Sequence, residues 1–118
     1  ANFEAALTLG RLCTQNNHQS DALQAYEAAL VLRSASPEAR YEAARLAYTM
    51  KRYGDAANFL RPLLLTQPKN LSAADLMMRI LYAQQKGTDA RVWGEYCLAL
   101  MPNATEAYRK FVDSLPKD

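Results

Sequence analysis

The chain has 118 residues, half of them apolar and 22% charged, with 14 cations against 12 anions. That composition describes one folded domain rather than a disordered segment, and its charge balance argues against a nucleic-acid surface. Twenty-one Ala and 17 Leu against 3 Val and a single Ile exclude a β-sandwich or barrel, because β-branched residues build strands while Ala and Leu favour helix. The longest apolar runs, 28–32 and 96–101, are far shorter than the ~20 residues a membrane helix needs. No basic stretch leads an apolar run into a cleavage site.

Four columns recur every 34 residues: Arg11, Arg45 and Arg79; Ala22, Ala56 and Ala90; Leu30, Leu64 and Leu98; Pro68 and Pro102. Each period reads as two helices, A and B. In the first, helix A runs from Phe3 to Gln15, the polar stretch 15–20 is a turn with Ser20 or Asp21 as N-cap, and helix B continues to Arg33. The second opens on Ser36-Pro37-Glu38, a capping serine, a proline at the first helical position and an acid in the first turn. It breaks at 51–55, and its helix B ends before Pro68. The third opens on Ser72-x-x-Asp75, read as a capping box; its turn lies at 85–88 with Thr88 as N-cap, and Pro102 stops it. Beyond it, Asn103 is the expected N-cap of a further helix, with Ala104, Ala107, Tyr108, Phe111, Val112 and Leu115 on one stripe.

The first period reads Ala6-x2-Leu9-Gly10-x2-Cys13 and then Ala22-x3-Tyr26. The second reads Arg40-x2-Ala43-Ala44-x2-Ala47, Ala56-x3-Leu60 and Pro68; the third reads Ala74-x2-Met77-Met78-x2-Leu81, Ala90-x3-Gly94 and Pro102. This pattern resembles the tetratricopeptide repeat, whose period is 34 residues. The resemblance implies an all-α, right-handed superhelical solenoid: a single domain over 1–118, with repeats 3–36, 37–70 and 71–104 and a capping helix at 105–118. Gly94 stands where a bulky side chain is expected; local repacking, with Trp93 beside it, is the expected remedy, the alternative being that the glycine lets another backbone approach. No equivalent cover precedes Phe3.

Catalytic signatures are absent from the sequence. His18 is the single histidine and falls in a turn. Cys13 and Cys97 fall in apolar columns and read as core, too far apart in the array for a disulfide. There is no phosphate loop, CxxC, HExxH or GxSxG motif. No catalytic residue, metal or cofactor is assigned, and the expectation is a non-catalytic protein-interaction module.

In the tetratricopeptide family the helices A line a concave groove that holds an extended peptide or a helix. The groove residues expected here are Arg11, Arg45, Arg79, Tyr41, Tyr48 and Tyr82, with Leu7, Asp75 and Thr14 in the same columns. Arginine forks bind carboxylates and tyrosines supply apolar area with a polar tip. The expected partner is therefore a protein or peptide, acidic in character. The competing role for the arginines is pairing along their own helices, Glu42 with Arg45 and Asp75 with Arg79; Arg11 has no acid at those spacings. Family members that clamp the chaperone C-terminal carboxylate do so at positions matching Leu7, Arg11, Glu42, Ser72 and Leu76, and none of these has the clamp's residue type. The alternative function is a structural or oligomerisation segment of a longer scaffold, self-associating through the N-terminal end. Localisation stays open between cytoplasm and bacterial periplasm, the former favoured by the lack of a feasible disulfide.

Overall fold

The computed structural model describes residues 2–117, and every regular element among them is a helix. They are α1 (Phe3–Gln15), α2 (Gln19–Leu32), α3 (Pro37–Thr49), α4 (Tyr53–Thr66), α5 (Leu71–Ala83), α6 (Gly87–Leu100) and α7 (Glu106–Ser114). This is an all-α chain of helical hairpins, as the 34-residue period requires. None of these helices is long and apolar enough to cross a membrane.

The period is written in the caps. Helices α1, α3 and α5 start behind Asn2, Ser36 and Asn70, and each side chain accepts from the backbone N–H three residues on, at Ala5, Ala39 and Ala73. Such a cap satisfies one of the donors a helix start leaves orphaned. The same three helices end behind Asn17, Lys51 and Gln85, each at φ 62°. There the N–H of His18, Arg52 and Lys86 reaches back to the carbonyl of Cys13, Ala47 and Leu81 at 2.8–2.9 Å, the long bond of a Schellman motif.

Four expected caps move. Asn70 replaces the Ser72 box, because its Oδ1 reaches the Ala73 N–H at 3.1 Å. Helix α2 starts at Gln19 and α6 at Gly87, ahead of Ser20, Asp21 and Thr88, because the Schellman turns fix the chain direction first. Thr105, not Asn103, caps α7 through the Tyr108 N–H, and α7 is shorter than 105–118.

By contact density the chain divides into two compact units, Ala1–Leu63 and Leu64–Asp118, the division falling inside α4. In the first, the core joins Phe3 and Leu7 of α1, Ala22, Leu23, Tyr26 and Ala29 of α2, and Ala39, Ala43 and Leu46 of α3. Gly10 is required: a Cβ there would meet the Tyr26 ring at 2.5 Å. Cys13 is half-buried at the edge of this core rather than inside it.

In the second unit Met78, Ala90, Val112 and Leu115 are buried together. The space at Gly94 is filled by Met78 and by Val112 of α7, which a Cβ would meet at 3.0 Å. Trp93 instead stacks edge-on with Tyr96, ring centroids 5.9 Å apart. Ala107 is exposed, so the buried face of α7 is Tyr108, Phe111, Val112 and Leu115.

One residue of this unit was not singled out from the sequence. Arg91 of α6 is 8% exposed, and its Nη1 donates to the carbonyls of Val112, Asp113 and Leu115 at 3.2, 2.9 and 2.8 Å. A cation thereby satisfies the last carbonyls of α7, where the helix dipole is negative. Its column carries Leu23 and Ala57 in the other repeats; a charge in an apolar column was the available signal.

Candidate partner-binding face

The three arginines have different surroundings. Arg11 reaches from α1 to α3, its Nε 2.9 Å from Glu42 Oε1 and its Nη2 3.1 Å from Glu38 Oε2. Hydrogen bonding to Glu42 raises the guanidinium above its ordinary value, burial working against it. The expected Glu42–Arg45 pair therefore does not form: Glu42 accepts from Arg11, a cation 31 residues away in sequence on another helix. Arg79 pairs with Asp75 along α5 at 2.7 Å, as the spacing of four predicts.

Arg45 has no carboxylate partner among the described residues; its guanidinium lies 5.9 Å from the centre of the Tyr41 ring. Arg11 finds acids 27 and 31 residues on, whereas the positions 27 and 31 beyond Arg45 are Ser72 and Leu76. Tyr48, one turn after Arg45, is half-buried and packs on Tyr53 with centroids 5.7 Å apart.

In the second unit Tyr82 is 54% exposed and meets Phe111 of α7 edge-on at 5.4 Å. The Tyr108 hydroxyl donates to Asp75 Oδ1 at 2.7 Å. Burial, and then that bond, raise the Tyr108 hydroxyl well above the ordinary tyrosine range. Asp75 is thus held between Arg79 and Tyr108 and belongs to the seat of α7. Leu7, expected on the groove, is 2% exposed and part of the core. Thr14 bonds the Gly10 carbonyl and lies 3.4 Å from the Tyr26 hydroxyl, a structural position.

Among the described residues no three His, Cys, Asp or Glu side chains gather so as to hold a metal ion. His18 sits in the α1–α2 turn, 3.8 Å from Asp21. Cys97 is buried, which pushes its thiol up and suppresses the thiolate that nucleophilic chemistry needs.

A family model described as tetratricopeptide repeat matches residues 14–81. The chain belongs to the tetratricopeptide repeat family. Solved tetratricopeptide domains superpose on nearly all of it at low identity. The first such domain of Spaghetti (RPAP3), bound to the HSP90 peptide SRMEEVD, has a TM-score of 0.84 at 17% identity, covering 95% of this chain and 89% of its own. The Sgt2 domain from Aspergillus fumigatus gives 0.80 at 16%, covering 95% and 75%. The Arabidopsis OM64 domain gives 0.82 at 16%, covering 93% of each. No curated protein sequence matches the chain. At such identities the likeness concerns the fold; the side chains of the helix A faces are this chain's own.

Proposed function

We propose that the chain is a non-catalytic protein-interaction module that holds a partner polypeptide on the faces of α1 and α3 in the first unit, the α5 face of the second unit offering a contact of its own. The observation that carries this reading is Arg45: a guanidinium without a carboxylate partner among the described residues, set over Tyr41 and one turn from Tyr48. A partner carboxylate has a fork to bind there, and the tyrosines give its neighbours apolar area. In the second unit, Tyr82 offers similar chemistry on α5. Arg11 and Arg79, each held by acids, orient more than they attract.

The residues do not suit a chaperone C-terminus of the EEVD kind. Leu7 and Leu76 are core residues, Glu42 is an acid and Arg11 is already occupied. Selection of a random peptide library on the chain tests the reading, with SRMEEVD as the comparison peptide. Acidic peptides with an aromatic or apolar neighbour should be enriched and should bind more weakly as salt rises. Arg45→Glu should abolish binding, Tyr48→Ala should weaken it, and Arg79→Glu should do less than Arg45→Glu. Selection indifferent to Arg45 and Tyr48 would remove the site from this face.

A further inference from the structure

The charges on the first unit's face are not evenly matched. Arg11 serves two carboxylates at once: its Nε bonds both oxygens of Glu42, at 2.9 and 3.1 Å, and its Nη2 reaches Glu38 Oε2 at 3.1 Å. Arg33 stands 3.8 Å from Glu4. Arg40 is committed to the carbonyls of Ser34 and Phe59. Three carboxylates, Glu4, Glu38 and Glu42, thus meet two guanidinia, Arg11 and Arg33, and one negative charge is in excess. The least served of the three is Glu38. Its side chain is 71% exposed, and its Oε1 accepts no bond from the described residues.

Glu38 also lines a cleft of about 620 Å³ between the start of α1, the end of α2 and the start of α3. Phe3 and Leu7 give the cleft an apolar floor, Leu32 and Pro37 flank it, and Glu4 stands with Glu38 at its rim. Long basic side chains fit such a place, because the stem covers apolar surface while the charged head stays at the rim. The chain itself shows the chemistry: the Arg33 guanidinium lies over the Phe3 ring, 4.6 Å from its centre. The opposite charge is close by. Seven residues are nearly two helical turns, so Glu38 and Arg45 share one face of α3, about 10 Å apart along its axis. Tyr41 stands between them, and Arg45 lies against its ring.

We infer that this face selects a dipolar segment: an extended stretch of a partner polypeptide that sets a lysine or arginine in the cleft at Glu38 and, three residues away, an aspartate or glutamate on Arg45. In a polyproline II chain three residues make one turn and rise about 9 Å, so the two charges fall on one side at the separation α3 presents. A run of acids is disfavoured, because a second carboxylate would meet Glu38. The inference rests on the proposed groove and adds to it the partner's cation and the residue that reads it.

The probes are the capped peptides acetyl-Pro-Pro-Lys-Pro-Pro-Glu-Tyr-amide and acetyl-Tyr-Glu-Pro-Pro-Lys-Pro-Pro-amide, which present the two charges in either chain direction, and their Lys-to-Gln versions. Affinities are read by calorimetry. In one direction the Lys peptide should bind about threefold to fivefold more tightly than the Gln peptide, the worth of one exposed ion pair, and the gain should shrink as salt rises. Glu38→Gln should remove the gain without weakening the Gln peptide, and Glu38→Lys should turn it into a loss. Both variants should melt as the parent does, since the side chain is exposed. Glu106→Gln, which removes the same charge from an exposed pair on α7, should leave the gain intact. Equal affinity for the Lys and Gln peptides in both directions overturns the inference and leaves the groove standing. So does a gain that survives Glu38→Gln or disappears with Glu106→Gln. Peptide binding indifferent to Arg45→Glu removes the groove itself, and the inference with it.

Discussion

In the first repeat the crossing of helix A and helix B is made by Gly10 beneath the ring of Tyr26; in the third it is made by Met78 across Gly94. The second repeat stands between them, with Ala44 and Leu60 both fully buried in the same two columns. The large side chain has changed sides while the pair still fills the gap, as close packing demands. What differs is the consequence for the next layer. Tyr26 is itself part of the surface that receives α3, whereas Gly94 leaves room for a valine of α7 to enter. The glycine that departs from the repeat pattern is therefore the socket of the closing helix, the lid of the third repeat.

The strongest way to break this comparison is to remove the lid. Truncation after Ala104 uncovers Gly94, Met78 and Ala90, and strips burial from Val112 and Leu115. Two such side chains are worth about 1.5–3 kcal/mol each, so unfolding in urea should show a loss of roughly 4 kcal/mol, with new apolar surface reported by dye binding. An unchanged midpoint would mean that α7 only decorates the third repeat.

Arg91 sharpens the point. Arg91→Met keeps the volume but orphans three carbonyls near the end of α7, and a lost set of charge-assisted bonds in a buried setting should cost about 3 kcal/mol. Its counterpart Leu23 sits in the same column, and Leu23→Met should cost under about 1.5 kcal/mol. Equal losses at the two positions would show that Arg91 acts through packing alone.

The two glycines come next. At Gly10 a Cβ would lie 2.5 Å from a ring carbon of Tyr26, itself wedged in the core; Gly10→Ala should destabilise by about 2 kcal/mol. At Gly94 the neighbours are 3.0 Å away, and one is the sulfur of a flexible methionine. The other contacts are both methyls of fully buried Val112 at 3.0–3.1 Å; helix propensity gives Ala about 1 kcal/mol there, which offsets part of that crowding, so Gly94→Ala should destabilise by less than Gly10→Ala. Thermal melts of the two variants read this difference directly.

Much of this was legible in the sequence, and the parts that were not have physical reasons. The 34-residue period gave both the hairpins and the core columns, because burial at fixed helical spacing leaves a trace in residue type. The Asp75–Arg79 pair was legible because it is local. The Arg11–Glu42 pair was not, since it joins two helices whose relative approach only packing decides. The α7 seat was half legible: the stripe showed a helix, but Asp75 read as a surface acid until Tyr108 was found donating to it. The caps Asn2, Ser36 and Asn70 are themselves 34 apart, a signal that the period carries and no single capping motif does.

The buried hydroxyls give a smaller effect with a fixed sign. Burial raises Tyr26, and burial with the Asp75 bond raises Tyr108. Below the ordinary tyrosine value near 10 both states are protonated and the stabilisation is complete. As pH climbs past that value the unfolded chain loses protons that the folded chain keeps, so stability falls. Melting temperature should therefore decline above about pH 10, and Tyr108→Phe should flatten the decline from the second unit. Melts from neutral to strongly alkaline pH that run parallel in both proteins would contradict the assignment.

The smallest effect concerns the turns that both ends share. Asn17, Lys51 and Gln85 all hold φ 62° at the close of a helix A, a conformation that costs an L side chain about 1 kcal/mol or more and glycine almost nothing. Asparagine tolerates it best of the three, because its short amide can bond the local backbone. Lys51 and Gln85 are exposed, so their side chains contribute no burial to lose. Lys51→Gly and Gln85→Gly should each stabilise by about 0.5–1 kcal/mol, the left-handed strain relieved exceeding the extra entropy of an unfolded glycine, while Asn17→Gly should change little. If the lysine and glutamine variants were instead destabilised, the long bonds from Arg52 to Ala47 and from Lys86 to Leu81 would have to be weaker in solution than their 2.8 and 2.9 Å lengths indicate. The register of every helix B would then rest on core packing rather than on the turn before it.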